Sequence, residues 1–196
     1  MTMEPLPWVL ALIAGAAIAV ACGLRAFLPL LVYGLGARFL GLPLAPKVGW
    51  LASDPALIAL GVATVLEILA DKVPAVDHAM DVAATFVRPA AAVVASLGLM
   101  SHWPAPWGQL AAIAFGGAAL MVHAAKAKTR LGSSLLTLGV ANPFISFAED
   151  LVTTGLIVLE FLAPIIAGVL VVLLVIAIVR AGRWWRRRRA ASVGPA

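Results

Sequence analysis

Along the chain, long apolar runs alternate with short polar interruptions. The runs are Trp8–Cys22, Ala26–Leu40, Pro55–Ala70, Ala83–Met100, Gly108–Ala125, Leu131–Ala141, Leu151–Ala163 and Pro164–Val179. A helical crossing of a bilayer core about 30 Å thick takes roughly 17–25 apolar residues, so several runs are short unless tilted or met by a thinned bilayer. Ala26–Leu40 and Leu131–Ala141 are the weakest candidates. Each follows an arginine (Arg25, Arg130) and contains glycine, with proline inside the first (Pro29) and just past the second (Pro143). Such segments persist at membrane depth only where protein or a wet cavity satisfies their backbone. They are read as broken or re-entrant helices, which leaves about six crossings. Leu151–Val179 has only Pro164 to turn on and is open to a second reading as one kinked helix.

The pattern also repeats. Adding 105 to Arg25, Leu30, Leu31, Gly34 and Phe39 gives Arg130, Leu135, Leu136, Gly139 and Phe144. Leu66-Glu67-Ile68-Leu69-Ala70 likewise matches Leu159-Glu160-Phe161-Leu162-Ala163, with Pro74 and Pro164 following. Leucine matches carry little weight in so leucine-rich a chain; the paired Arg, Gly and Glu in the same order carry the case. Three crossings per half is an odd number, so the halves are expected to be inverted with respect to each other. The expected fold is therefore an all-α integral membrane protein of two inverted repeats, about 8–100 and 108–180. They lie in a single membrane domain, 1–182, with a basic cytoplasmic tail over 183–196.

Composition supports this solvent. Of 196 residues, 63% are hydrophobic and 12% charged, and the mean hydropathy is +1.07. Soluble domains carry about 25% charged residues, and a small globule could not hide so much apolar surface. The net charge of +5 comes mostly from Arg180, Arg183 and Arg186 to Arg189, set around Trp184 and Trp185. Directly after an apolar run, this cluster marks the cytoplasmic end of a span rather than a nucleic-acid site. The six-crossing arrangement also places Lys126, Lys128 and Arg130 in the cytoplasm. Both termini are then expected inside, in the inner (plasma) membrane. Met1 to Pro7 carries no positive charge and includes Glu4, so the first helix reads as retained rather than as a cleaved signal. Cys22, the one cysteine, excludes an internal disulfide.

Ionisable residues among lipid-facing helices are functional hypotheses by default, because each costs a few kcal/mol to insert. Arg25 and Arg130 lead, since two guanidiniums near a pseudo-twofold axis suit a phosphate or carboxylate; the alternative is that each snorkels to its own interface. Asp71 to Asp81 is the densest charged stretch, followed by Thr85 and Arg88. Asp77 and Asp81 share a helical face and are candidates for proton coupling, against a solvated loop with a capping Asp. In the second half, Ser133, Ser134 and Asn142 join Arg130 and Arg88 as candidate substrate-binding residues, against a helix cap and a turn. Glu149 and Asp150, just after them, are further proton-coupling candidates. Glu67 and Glu160, at matching positions, complete the proton-coupling candidates. His123, on an apolar helix, reads as a satisfied interior histidine. No Walker loop, nucleotide fingerprint, paired metal-binding cysteines or serine elbow is present. No enzyme activity, metal or cofactor is therefore expected.

Leu66-Glu67, Asp71-Lys72-Val73-Pro74, Val76-Asp77, Asp81, Arg88-Pro89, Arg130, Asn142-Pro143 to Ser146 and Glu149-Asp150 together resemble a bacterial membrane family, domain of unknown function 4126. The likeness runs to about Arg180. It implies a small multi-pass protein and brings no activity with it. The function expected from the residues is a transporter or lipid-headgroup translocase for an anionic substrate, with membrane lipid and a small anionic solute or phospholipid headgroup as partners. The alternative is a non-transporting membrane assembly or scaffold protein acting through small-residue faces such as Gly116, Gly117 and Ala118. No nucleic-acid partner is expected, and a chain this small is compatible with a homodimer.

Overall fold

The structure, a computed structural model, describes residues 5–42, 44–72, 74–100, 103–137, 140–163, 166–173, 175–177, 179, 180 and 183. All regular structure among them is helical: α1 (Pro5–Leu24), α2 (Phe27–Leu40), a 3-10 helix (Pro46–Ala52), α3 (Asp54–Ala70), α4 (Pro74–Leu99), α5 (Trp107–Thr137) and α6 (Asn142–Leu162). An apolar helix, Ile166–Ala177, follows as α7.

Local chemistry sets most boundaries. The Ser53 hydroxyl accepts from the Ala56 amide at the start of α3, where Pro55 occupies the first turn and its missing N–H costs nothing. Gly41, at φ 67°, closes α2 in the left-handed conformation that glycine adopts without a Cβ penalty. Pro143 opens α6 in the same way as Pro55.

One expectation changes here. Gly108–Ala125 and Leu131–Ala141 are parts of one helix, α5, of 31 residues, and Arg130 lies inside it rather than at the head of a broken segment. The charged residues that interrupt the apolar run are good helix formers. Gly132 costs only about 1 kcal/mol, too little to end a helix. Leu151–Ala163 and the apolar run after it are separate segments, as first read, rather than one kinked helix, because Ala163 leaves the helical region (φ −155°, ψ 73°) before α7 begins.

α1 is the central helix. Ala17, Ile18, Ala19, Ala21 and Cys22 are fully buried, and α1 contributes to both apolar cores. One core joins it to α2, the 3-10 helix, α3, α4 and α5, and the other to α6 and α7. Small residues permit the contact. A Cβ on Gly23 would meet the Ala119 carbonyl of α5 at 2.7 Å, and one on Gly116 of α5 would meet Val93 of α4 at 2.7 Å.

The contacts fix the sense of each helix. Trp8 packs on Trp103, Gly15 on Phe115 and Gly23 on Val122, and the Leu24 carbonyl accepts from Lys126. α1 and α5 therefore run in the same direction. α4 runs against them, with Arg88 beside Gly23 and Met100 beside Gly15. The 105-residue shift pairs α1 with α5, and an inverted duplication would set these two in opposite senses. Glu67 and Glu160 are related otherwise. Glu67 lies at the end of the bundle that holds Arg25, whereas Glu160 lies about 15 Å along α6 from Asp150. A single inversion does not relate both matched pairs.

By length and apolarity, Met80–Leu99 and Trp107–Thr137 are long enough to cross a membrane. The 3-10 helix and α3, bent by 69°, make a third span if taken together. Large apolar side chains cover the outside (Phe39, Phe86, Leu135, Phe144 and Leu162 among them), while Arg25, Arg88, Lys126 and Arg130 are buried. This reverses the distribution of a water-soluble protein and suggests a membrane protein.

Candidate functional site

The charged residues meet at one end of the bundle, where α1, α3 and the middle of α5 arrive and α2, α4 and α6 leave. Arg25 sits in the break between α1 and α2 and is 0% exposed. Its Nη1 donates to Asp71 Oδ2 at 2.5 Å and to the Glu67 carbonyl at 3.3 Å. Its Nη2 donates to Ser146 Oγ at 3.0 Å and lies 2.5 Å from Asp150 Oδ1.

Asp71, in the turn between α3 and α4, is the hub. Its Oδ2 also accepts from Lys126 Nζ and from Arg130 Nη2, both at 2.9 Å. Lys126 and Arg130, one turn apart on α5, share Glu149 Oε2 at 3.0 and 2.7 Å. Lys126 also satisfies the Leu24 carbonyl at 3.1 Å, one of the acceptors a helix C-terminus leaves open. Burial alone would raise the Asp71 carboxyl; Lys126, Arg25 and Arg130 outweigh it and hold the group well below the usual carboxylate range.

A second group adjoins the first. Glu67, on the last turn of α3, accepts from the Ala26 amide at 2.9 Å and from the Phe27 amide at 3.2 Å. It thus caps α2, whose own N-cap residue, Ala26, has no side chain able to do so. Arg88 Nη2 lies 3.6 Å from the same carboxylate, and its Nη1 donates to the Gly23 carbonyl at 3.3 Å and to His123 Nδ1 at 2.6 Å. A guanidinium only donates, so Nδ1 is the acceptor; Nε2 then carries the proton and donates to Thr85 Oγ1 at 3.3 Å. Arg25, Arg88, Lys126 and Arg130 thus face Glu67, Asp71, Glu149 and Asp150, and the more exposed Lys72 lies 3.6 Å from Asp150. Beside them a cavity of about 240 Å³ is lined by Phe27, Glu67, Asp71, Met80, Asp81 and Arg88, with four small or apolar neighbours.

The fold therefore brings together Arg25, Arg130, Glu67, Arg88, Glu149 and Asp150. Other candidates lie outside this set. Asn142 Nδ2 donates to Ser134 Oγ at 2.8 Å and ties α6 to the end of α5, one helical turn from Ser146 on α6 and from Arg130 on α5. Ser133 is half-buried beside it. Asp81 lines the cavity, and the Asp77 side chain is outside the described residues. Glu160 is buried on α6, distant from the cluster.

Asp71 and Ser146 stood out only through the family resemblance and the charged stretch, and Lys126 and His123 were given no binding or proton role, yet all four are buried contributors. The spacing of Lys126 and Arg130, and of Ser146 and Asp150, puts each pair on one helical face. Asp71 offered no such signal, because a turn residue takes its surroundings from other helices. Among the described residues no three His, Cys, Asp or Glu side chains are placed to share a metal ion. The arrangement is suited to holding an anionic oxygen between cations.

No curated protein and no solved structure matches the chain. A family model does match it over residues 5–184, nearly its whole length, and the chain belongs to the family described as Domain of unknown function (DUF4126).

Proposed function

We propose that the protein is a small multi-pass membrane transporter, or lipid-headgroup translocase, for an anionic substrate. One observation carries the reading: Arg25, Lys126 and Arg130 converge on a single oxygen of Asp71 beside an open cavity. Three cationic donors around one oxygen form a seat for a phosphate or carboxylate. Asp71 occupies that seat as an internal anion, and a substrate oxygen would have to displace it.

The apolar exterior puts lipid around the bundle. From Trp107 to Lys126 α5 rises about 28 Å, close to the thickness of a hydrocarbon core, so the seat lies near one interface. Lys72, Lys126, Lys128 and Arg130 gather at that end, which the positive-inside rule assigns to the cytoplasm. The α2–α3 hairpin leaves and returns at this end and adds no net crossing. α1, α4, α5, α6 and α7 then cross, in place of six spans in inverted halves. An odd count sets the start of α1 outside and the end of α7 inside, in place of two cytoplasmic termini.

The assembly or scaffold alternative relied on the Gly116 face. Gly116 is filled by Pro89 and Val93 of the same chain, and Gly117 is the part left open outward.

Reconstitution in proteoliposomes tests the proposal, with inorganic phosphate uptake and flipping of a fluorescent anionic phospholipid as the two readouts. The wild type should move at least one probe, and Arg25→Gln and Arg130→Gln should abolish movement while the protein still inserts. Transport unchanged in both variants, or no movement of either probe by the wild type, overturns it.

A further inference from the structure

Glu160 differs from the other interior acids. It is 6% exposed, and neither carboxyl oxygen has a hydrogen-bond partner among the described residues. Glu67, Asp71, Glu149 and Asp150 each lie within ion-pair distance of a cation. Thr153, seven residues earlier, is fully buried, and its hydroxyl is likewise without a partner among the described residues. Ser146, seven earlier again, is fully buried and accepts from Arg25.

Seven residues are close to two helical turns, so Ser146, Thr153 and Glu160 form one row on the inward face of α6. The row starts in the charged seat and runs about 21 Å into the apolar packing of α1, α6 and α7. Burying an ionised carboxylate without a partner is far more costly than burying the neutral acid. Cys22 of α1 and Tyr33 of α2 are near enough to feel its charge. α7, Ile166–Ala177, carries no titratable residue.

We propose that Glu160 is the proton-carrying carboxyl of this protein, and that the Thr153–Ser146 row on α6 connects it to the seat. The acid gives its proton to water reaching the row and regains it when the row dries. The site stands without the transport reading, and rests on it only for what the proton drives.

The test is dicyclohexylcarbodiimide, an apolar reagent that adds to protonated carboxylic acids. It is applied to the full-length protein in lipid vesicles, and the adduct is located by mass spectrometry. Labelling is expected on Glu160, declining as pH rises, with Glu67, Asp71, Glu149 and Asp150 spared. In proteoliposomes Glu160→Gln should lose accumulation driven by a pH gradient while keeping substrate exchange. A folded wild type that is unlabelled at Glu160, or labelled there no more than at Glu149 and Asp150, overturns the inference. Labelling at Glu160 in a protein that moves neither probe would refute transport and leave the proton site standing; transport without labelling would do the reverse.

Discussion

Glu67 and Glu160 sit in nearly identical sequence, Leu-Glu-Ile-Leu-Ala and Leu-Glu-Phe-Leu-Ala, and both are buried. Their surroundings are opposite. Glu67 closes the N-terminus of α2 and faces Arg88, whereas Glu160 has no hydrogen-bond partner among the described residues. A carboxylate that holds two elements together and one left open to a proton can thus arise from the same five-residue pattern. The difference lies in what the neighbouring helices bring.

The largest effect is expected at the hub. Asp71→Ala leaves Arg25, Lys126 and Arg130 crowded around a lost anion, and removing one partner from a buried ion pair costs about 3–5 kcal/mol. Thermal unfolding in detergent, followed by tryptophan fluorescence, should show it, and a change near zero would mean that the cations find other partners.

Glu67→Leu and Glu160→Leu test the comparison directly. The first should destabilise by about 3 kcal/mol, since it strips the α2 cap and strands Arg88. The second should be neutral or slightly stabilising, within about 1 kcal/mol, because an apolar side chain suits that packing better than an unpartnered acid. Equal losses in the same unfolding assay would erase the distinction between the two sites.

A smaller effect concerns acid. Asp71 titrates lower in the folded protein than in the unfolded chain. Its stabilisation is therefore complete above the ordinary carboxylate value and drains away as pH falls through the folded one. Asp71→Asn should flatten the acidic limb of the stability profile; an unchanged limb would assign it to other carboxylates.

Much of this was legible beforehand. Arg25, Arg130, Glu67, Glu149 and Asp150 stand out as charges among apolar runs, because insertion makes such residues costly. The break after Arg25 and the start of α6 at Asn142-Pro143 follow from local chemistry. Lys126 and His123 were harder to place. Lys126 read as a cytoplasmic charge between two runs, because the polar interruption was taken as a break although its residues favour the helix that continues to Thr137. His123 read as a satisfied interior residue, but its partners, Arg88 and Thr85, are some 35 residues away and meet it only when α4 packs against α5. The 105-residue repeat was legible as letters, yet its two halves do not relate by the inversion that an odd span count implied.

The sequence alone determined what each segment is: apolar stretches that form helices, an exterior for lipid, and a limited set of charges that must be sheltered. Those properties depend on composition and on neighbours within a few turns. Tertiary structure decided which charges meet. Asp71 became the hub because the ends of α1 and α3 converge with the middle of α5, and Glu160 stayed apart because α6 carries it away from every buried cation described. Coulomb attraction and hydrogen bonding act across a few ångströms of space, and only packing converts separations of 19 to 121 residues into such distances.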